Sequence, residues 1–522
     1  MQAPSQGAGN VCLRKDALVS SERSGHWGFH GPKCWAVTLL AGLVAGALLA
    51  LVLPAPQGLV SGVPDVQMYV ALPFALLLLS IALMPFINVH FWEHHYPDFA
   101  VFLGGVVVSF YLIALDGFST ADGHAHYGRL RMVHVGREYF QFIALIGSLY
   151  IVTGGILIDI RGQATPRVNT VLLGVGAVVA NLFGTTGAAA LLIRPFLRIN
   201  KHRIRPFHVV LFIFVVANCG GCLTPIGDPP LFLGYLEGVP FTWTLLRCLP
   251  AWATCVGVLL AVFYAMDRAA WRRSQPEAAA AAGGEGARVT VRVSGFRNFV
   301  FLGVVLFGVF LDKLIEELTG HPVEVPFGAF LQLAAAFAAY RLSRPENLAG
   351  NEFSFNPIRE VALLFVGIFA TMVPALDYLQ NNADALGVTT PSAFYWASGS
   401  LSSFLDNAPT YYNFLSAAYG LGNSAGPMAA PPLAEAHQWV HLPALGGGYV
   451  HAPVLLAISL SSVFFGSNTY IGNGPNFMVK AISEAAGVPM PSFFGYIIKY
   501  TLPILLPVLA LIWLLYVSGL VF

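Results

Sequence analysis

Two carboxylates stand where a membrane-buried helix would want leucine. Asp228 closes the run Asn218-Cys219-Gly220-Gly221-Cys222-Leu223-Thr224-Pro225-Ile226-Gly227-Asp228-Pro229-Pro230, and Asp406 lies within Ser403-Phe404-Leu405-Asp406-Asn407-Ala408-Pro409-Thr410. An ionisable side chain inside a bilayer is expensive and marks an ion or proton pathway by default. Neither Asp has a Lys or Arg close in sequence, so the pair reads as a cation site for Na+. A carboxyl taken out of water also holds a proton more readily. Competition between Na+ and H+ for such a site is the simplest chemistry of an antiporter.

Neutral oxygens of the kind a hard cation accepts surround these carboxylates in sequence. Asn218, Thr224, Gly227, Asn407 and Thr410 belong to the same two runs. Asn468, Thr469 and Asn473 come from Phe465-Gly466-Ser467-Asn468-Thr469-Tyr470-Ile471-Gly472-Asn473-Gly474-Pro475-Asn476, and Thr185 and Thr186 from Asn181-Leu182-Phe183-Gly184-Thr185-Thr186-Gly187. In all four runs Gly or Pro breaks the helix ladder. The freed backbone cannot face lipid, so it must line a polar or protein-buried cavity. Unwound carbonyls then meet cations and half-helix N-termini meet anions. The plainer readings are a kink without a ligand and, for either Asp, a helix cap.

The rest of the chain is what must position these runs. Of 522 residues, 10% are charged and 56% hydrophobic, with a net charge of +1 and a mean hydropathy of +0.69. Soluble domains carry about 25% charge, so a soluble enzyme is excluded. A nucleic-acid binder would need a basic excess, and 39 Phe and 19 Tyr exclude disorder. Six Cys give no disulfide framework. An all-α polytopic membrane protein remains.

Apolar spans fall at Cys34–Pro54, Tyr69–Phe91, Asp98–Leu115, Glu138–Ile160, His208–Leu236, Thr242–Met266, Phe299–Asp312, Val325–Leu342, Glu360–Leu379, His451–Ile482 and Ser492–Phe522. Val168–Leu197 and Pro391–Gly420 are broken and read as re-entrant hairpins. That makes about eleven spans plus two hairpins. The polar segment from Asp267 to Arg297 reads as a linker between halves 34–266 and 298–522, and residues 1–33 as a polar N-terminal segment without a secretory signal. Putting the N-terminus in the cytoplasm and the C-terminus in the periplasm of a bacterial inner membrane places all but Arg129, Arg131, Arg137, Arg247, Lys313 and Lys499 of the 27 Lys and Arg on the inner side. The other acids, including Asp98, Asp116, Asp159, Glu237, Asp312 and Asp377, fall at or beyond span ends.

The two halves align by motif. Arg137-Glu138 and Arg359-Glu360 open comparable helices; each is followed by a broken hairpin and then by Thr-x-Ile-Gly-(Asp/Asn)-x-Pro, at Thr224–Pro230 and Thr469–Pro475. Hairpins entering from opposite sides imply inverted-topology repeats.

Gly220-Gly221-Cys222-Leu223-Thr224-Pro225-Ile226-Gly227-Asp228 resembles the signature of NhaD-type Na+/H+ antiporters. Leu405-Asp406-Asn407-Ala408-Pro409 is similar to a hairpin motif of those proteins and of arsenite-pump-type carriers, and Ser467-Asn468-Thr469 resembles the hairpin motif of divalent-anion/Na+ symporters. All belong to the ion transporter superfamily, which includes citrate transporters. The resemblance implies a scaffold, often dimeric, and a transport domain moving as an elevator. The hairpin tip Gly184-Thr185-Thr186 and the run Asn473-Gly474-Pro475 depart from the antiporter pattern.

The expected function is therefore Na+/H+ exchange by a secondary transporter. An ion-coupled carrier of citrate or a dicarboxylate is the alternative and an arsenite exporter, hinted at by Cys219-x-x-Cys222, a lesser one. A membrane dithiol enzyme is the least favoured. No cofactor and no nucleic-acid partner are expected; lipid, a small substrate and a second copy of the chain are. His94-His95 and His124-x-His126 read as loop residues at the membrane interface. The run Arg194, Arg198, Lys201, Arg203 and Arg205 reads as an arm on the anionic inner surface.

Overall fold

The computed structural model describes residues 32–53, 59–60, 63–118, 126–161, 164–281, 290–321, 323–382, 387–423, 436–443, 445 and 447–519. Most of the N-terminal segment, His124, the Gly283-Gly284 part of the linker and much of the outer loop lie outside the described residues.

Apolar side chains face outward here. On the first helix, α1 (Pro32–Val52), Leu51 and Val52 are 77% and 78% exposed, which fits a lipid-facing surface and not a water-facing one. Seven helices among the described residues are long and apolar enough to cross a membrane. They are α1, α3 (Val89–Ala114), α5 (Pro166–Ile199), α8 (Phe241–Ala281), α9 (Phe296–Thr319), α12 (Asn356–Asn381) and α17 (Phe493–Tyr516). Shorter apolar helices are α2 (Leu72–Ile87), α6 (Pro206–Val215), α10 (Phe327–Leu342) and α15 (Ala452–Phe465). The 28-residue α4 (Tyr127–Gly154) is about 42 Å long, with Arg129, Arg131, Arg137 and Glu138 in its first half. Short helices α7 (Pro229–Leu236), α11 (Pro345–Gly350), α13 (Pro391–Ser402), α14 (Asn407–Asn423) and α16 (Gly474–Ala485) complete the set. The chain is a polytopic helical membrane protein.

Several expected boundaries are corrected. Helix α2 ends at Ile87 and α3 starts at Val89, because Asn88 Oδ1 accepts the Phe91 N–H at 3.0 Å as an N-cap. His94 and His95 therefore lie inside a helix and not in a loop. Helix α4 begins at Tyr127, eleven residues before the expected start at Glu138, so the three arginines ride a helix. It ends at Gly154, short of Ile160, and the chain continues as strand β3 (Leu157–Arg161). That strand pairs antiparallel with β4 (Thr290–Ser294), which lies inside the expected linker. Helix α8 takes the front of the same linker, running to Ala281. The short hairpins β1/β2 (Leu59–Val60/Val63–Pro64) and β5/β6 (Trp439–Leu442/Gly448–His451) add to an otherwise helical fold.

Two bodies emerge from the packing. In one, α3 packs on α1, α2 and α12, and α4 on α10 and α12. In the other, α5 packs on α8 and α16, α13 on α15, and α14 on α7 and α15. They meet where α4 and α12 face α5, α7 and α14. Within the first body the helices approach to backbone contact: a Cβ on Gly367 would come within 2.6 Å of Ala100. Phe142 stacks on Phe365 with centroids 5.0 Å apart. Small residues and ring stacks are how membrane helices pack without a hydrophobic drive.

In the basic run at the end of α5, Arg198, Lys201 and Arg205 are exposed while Arg203 turns inward. Arg203 grips Asp267 of α8 through Nη1 at 2.5 Å and Nη2 at 2.8 Å, and His208 Nε2 lies 3.0 Å from the same carboxylate. Asn169 adds a fourth contact at 2.9 Å. Arg194 pairs with Glu352 and Arg198 donates to the Ile158 carbonyl. The buried Asp267, expected at the start of a solvated linker, ties the starts of α5 and α6 to α8.

Candidate functional site

Each half of the chain contains two breaks in the same order. Helix α5 turns at Gly184, whose φ of 75° and ψ of 156° lie outside the helical region and suit only glycine. The α13–α14 pair turns at residues 403–406. Helix α6 unwinds at Asn218, passes one short turn, Cys219–Gly221, and resumes as α7; α15 unwinds likewise through Gly466–Asn468 and resumes as α16. Pro229, Pro409 and Pro475 sit in the first turns of α7, α14 and α16, where the missing N–H costs nothing.

The breaks are stitched by the same bonds. Thr224 Oγ1 donates to the Asn181 carbonyl at 2.7 Å and accepts the Gly227 N–H at 3.1 Å. Thr469 Oγ1 donates to the Ser403 carbonyl at 2.5 Å and accepts the Gly472 N–H at 3.1 Å. Backbone crosses backbone at Gly227, where a Cβ would meet the Gly221 oxygen at 2.1 Å, and at Gly472, where it would meet the Gly466 oxygen at 2.6 Å. Asp228 and Asn473, one residue further on in each run, precede α7 and α16 with near-identical dihedrals, −146°/143° and −155°/139°.

Asp228 is the meeting point. It is 1% exposed. Its Oδ1 accepts from Thr185 Oγ1 at 2.7 Å and from Asn473 Nδ2 at 3.3 Å, and its Oδ2 from Asn407 Nδ2 at 2.6 Å. Asn473 also donates to Asn218 Oδ1 at 3.1 Å, and Asn218 in turn donates to Asn476 at 2.6 Å. Four helical segments therefore begin around one carboxylate: the second arm of α5, α7, α14 and α16. Helix N-termini carry partial positive charge, so this point tolerates anionic charge without a Lys or Arg. Two buried carbonyl oxygens, Asn407 Oδ1 beside Asp228 and Asn468 Oδ1 in the break of the second half, meet no hydrogen-bond donor among the described residues. These are neutral acceptors that can ligate a hard cation.

Asp406 is placed differently. It is half-buried, and its Oδ1 accepts the Ala408 N–H at 3.1 Å, which caps α14. Thr410 Oγ1 donates back to the Asp406 carbonyl at 3.0 Å. Among the described residues no group of three or more His, Cys, Asp or Glu forms a metal cluster. Thr186 lines a cavity with Gly184, Pro225 and Phe232 on one side and Phe142, Leu145 and Leu149 of α4 on the other. This cavity opens beside Asp228 at the seam between the two bodies. Of the expected ligands, Thr185, Asn407 and Asn473 touch Asp228 directly; Asn218 is one bond away; Asn468, Thr469, Thr224 and Gly227 hold the breaks in shape.

Asn181, Asn476 and Ser403 belong to the broken runs but not to the expected ligands, yet they carry the stitching. Asn181 donates to Gly220 O at 2.7 Å and accepts the Leu223 N–H at 2.8 Å. Asn476 donates to Gly466 O at 2.8 Å and Thr469 O at 2.9 Å. An amide that can both give and accept in an unwound helix was the available signal. Cys222 lies against Cys248 and Cys219 against Cys255, both on α8, and Cys219 and Cys222 are themselves close enough to interact.

A family model described as "Putative citrate transport" matches residues 63–517. No curated protein matches the chain. Both broken pairs and all of Asp228's partners fall inside the matched region. The chain belongs to this citrate-transport family, within the ion transporter superfamily.

Proposed function

We propose that the protein is a secondary transporter that moves a small carboxylate anion, citrate or a dicarboxylate, coupled to Na+ or H+ at the Asp228 site. The observation that supports this is the convergence of four helix starts on one carboxylate held only by neutral donors. The helix N-termini suit an anionic substrate. Asp228 and the donor-free oxygens of Asn407 and Asn468 suit a coupling cation, and a trianion can also enter as a complex with a divalent metal. Asp406 acts in this scheme through the cap that fixes Asn407.

The two-body packing and the matched breaks support an inverted repeat. The first body would be the scaffold and the second, carrying the site, would slide past it as an elevator. A homodimer through the scaffold, and a bacterial inner membrane with the N-terminus inside, complete the proposal. A second reading, Na+/H+ exchange without an organic anion, is favoured by Asp228 lying within one proton or one cation of neutrality and by the absence of any cationic side chain among its hydrogen-bond partners.

Purified protein in proteoliposomes with imposed Na+ and pH gradients decides between them. Labelled citrate, alone and with Mg2+, should enter down the ion gradient and fail to enter with Asp228→Asn. Collapse of the pH gradient by Na+ alone, with no citrate or dicarboxylate uptake, would overturn the first reading in favour of exchange.

A further inference from the structure

A second pair of carboxylates is buried away from Asp228. Glu138 of α4 and Glu237 at the end of α7 are 4% and 1% exposed, and both carboxyls reach one and the same hydroxyl. The Tyr412 hydroxyl of α14 bridges them, 3.0 Å from Glu138 Oε1 and in contact with Glu237 Oε1. The other oxygen of each, Glu138 Oε2 and Glu237 Oε2, is buried and meets no N–H or O–H donor among the described residues. A tyrosine hydroxyl has one proton to give, so it hydrogen-bonds both oxygens only when one of the two carboxyls is itself protonated and donates to the phenol oxygen.

Among the described residues no Lys or Arg is left to replace that proton. Arg131, the nearest guanidinium, is bound to Asp377 of α12 at 3.1 Å. Asp377 also accepts from Tyr111 at 2.9 Å and Tyr127 at 3.0 Å. Arg137 points away, to the Val323 carbonyl at 2.6 Å. Half-exposed His134 reaches the pair, its Nδ1 3.3 Å from Glu138 Oε1. The facing groups are thus His134, Arg131 and Arg137 from α4, Asp377 through Arg131 from α12, and Tyr412 with Tyr411 from α14.

The pair straddles the seam. Glu138 belongs to the body built on α4 and α12, while Glu237 and Tyr412 belong to the body that carries Asp228. Eight residues of α7 separate Asp228 from Glu237, a rise of about 13 Å. Neither glutamate touches the Asp228 site.

We infer that Glu138 and Glu237, bridged by Tyr412, form a second proton site that spans the two bodies: one exchangeable proton sits between them here and must leave or move, with His134 as its outlet, before the bodies slide apart. The balance is simple. With the proton the pair carries one negative charge; when the proton departs to His134 and then to water, two adjacent carboxylates repel and the seam loosens. The coupling role rests on the elevator reading; the proton site itself does not.

Infrared titration of the full-length Asp228→Asn protein, with and without Glu138→Gln or Glu237→Gln, tests the site. A protonated-carboxyl band present at neutral pH in the parent should disappear or shift in both glutamine variants and shift in Tyr412→Phe, which keeps both carboxyls. A band identical in parent, Glu138→Gln and Glu237→Gln overturns the site. In proteoliposomes carrying Asp228, the number of protons moved per substrate should fall by one in Glu237→Gln; an unchanged ratio overturns its part in coupling. If the protein with Asp228 intact moves no substrate at all, the transport reading fails while the infrared bands still decide the proton site.

Discussion

Asn473 donates a hydrogen bond to Asp228 across 3.3 Å, from the position in its own run that Asp228 holds in the other. One copy of the motif thus supplies the carboxylate and the other the amide, and the two meet side by side. Exchanging them tests whether the site reads the pair or the position. Asp228→Asn is expected to cut ion-coupled transport by about 100-fold or more, since the coupling charge is gone. Adding Asn473→Asp to it should restore roughly tenfold. Flux in proteoliposomes measures both, and a double variant as dead as the single one counts against a shared site.

The crossing of backbones at Gly227 leaves no room for a methyl group, while Gly474 has nothing within 4 Å of where a Cβ would sit. Gly227→Ala should cost about 1–3 kcal/mol of overpacking or more and yield little monodisperse protein in detergent. Gly474→Ala should purify and melt as the parent does. Fluorescence-detected size exclusion with a thermal ramp compares them directly.

Asp406 and Asp228 are predicted to respond differently to the same change. An Asn at 406 can still accept the Ala408 N–H, so Asp406→Asn should keep transport within about threefold. Asp406→Ala removes the cap and should lower stability by about 1 kcal/mol. Flux in Asp406→Asn as low as in Asp228→Asn would make Asp406 a ligand and not a cap.

The Asp267 contacts bind the starts of α5 and α6 to α8 at one buried point. Removing the carboxylate strands Arg203, whose side chain is 10% exposed. Breaking such a pair costs about 3–5 kcal/mol. Asp267→Ala should unfold well below the parent in a thermal melt, and Arg203→Ala/Asp267→Ala should recover part of the loss because no charge is left alone.

Cys219→Ser with Cys222→Ser is expected to leave transport intact, since each thiol faces a different cysteine of α8. Loss of arsenite resistance in cells expressing this variant, with citrate flux unaffected, would give the thiols a transport role of their own.

The motifs were legible because breaking a membrane helix demands Gly, Pro and amides at set spacing, and hydropathy alone finds the apolar runs between them. That is why Thr185, Asn407 and Asn473 could be named before their shared partner was seen. Charged helices hid. Arg129, Arg131 and Arg137 looked like a loop that broke the positive-inside pattern; they lie on α4, and Arg131 is neutralised by Asp377, 246 residues away. Glu237 and Asp377 do stand at helix ends, as expected, but buried ones, and no local pattern tells a buried end from a solvated end. Strands β3 and β4 went unseen because neither half carries the signal without its partner.

One strand sets a mechanical limit. Leu157–Arg161 is fixed to Thr290–Ser294, and only residues 162–165 separate it from the start of α5. Five peptide steps reach no more than about 18 Å. On the proposed elevator reading, a body hung on that short leash would not travel freely at this end, and its stroke would be greatest where the hairpin tip and Asp228 sit and least where the leash is anchored. Such a body would swing like a gate on its post, and lengthening the leash by a few glycines should lengthen the swing.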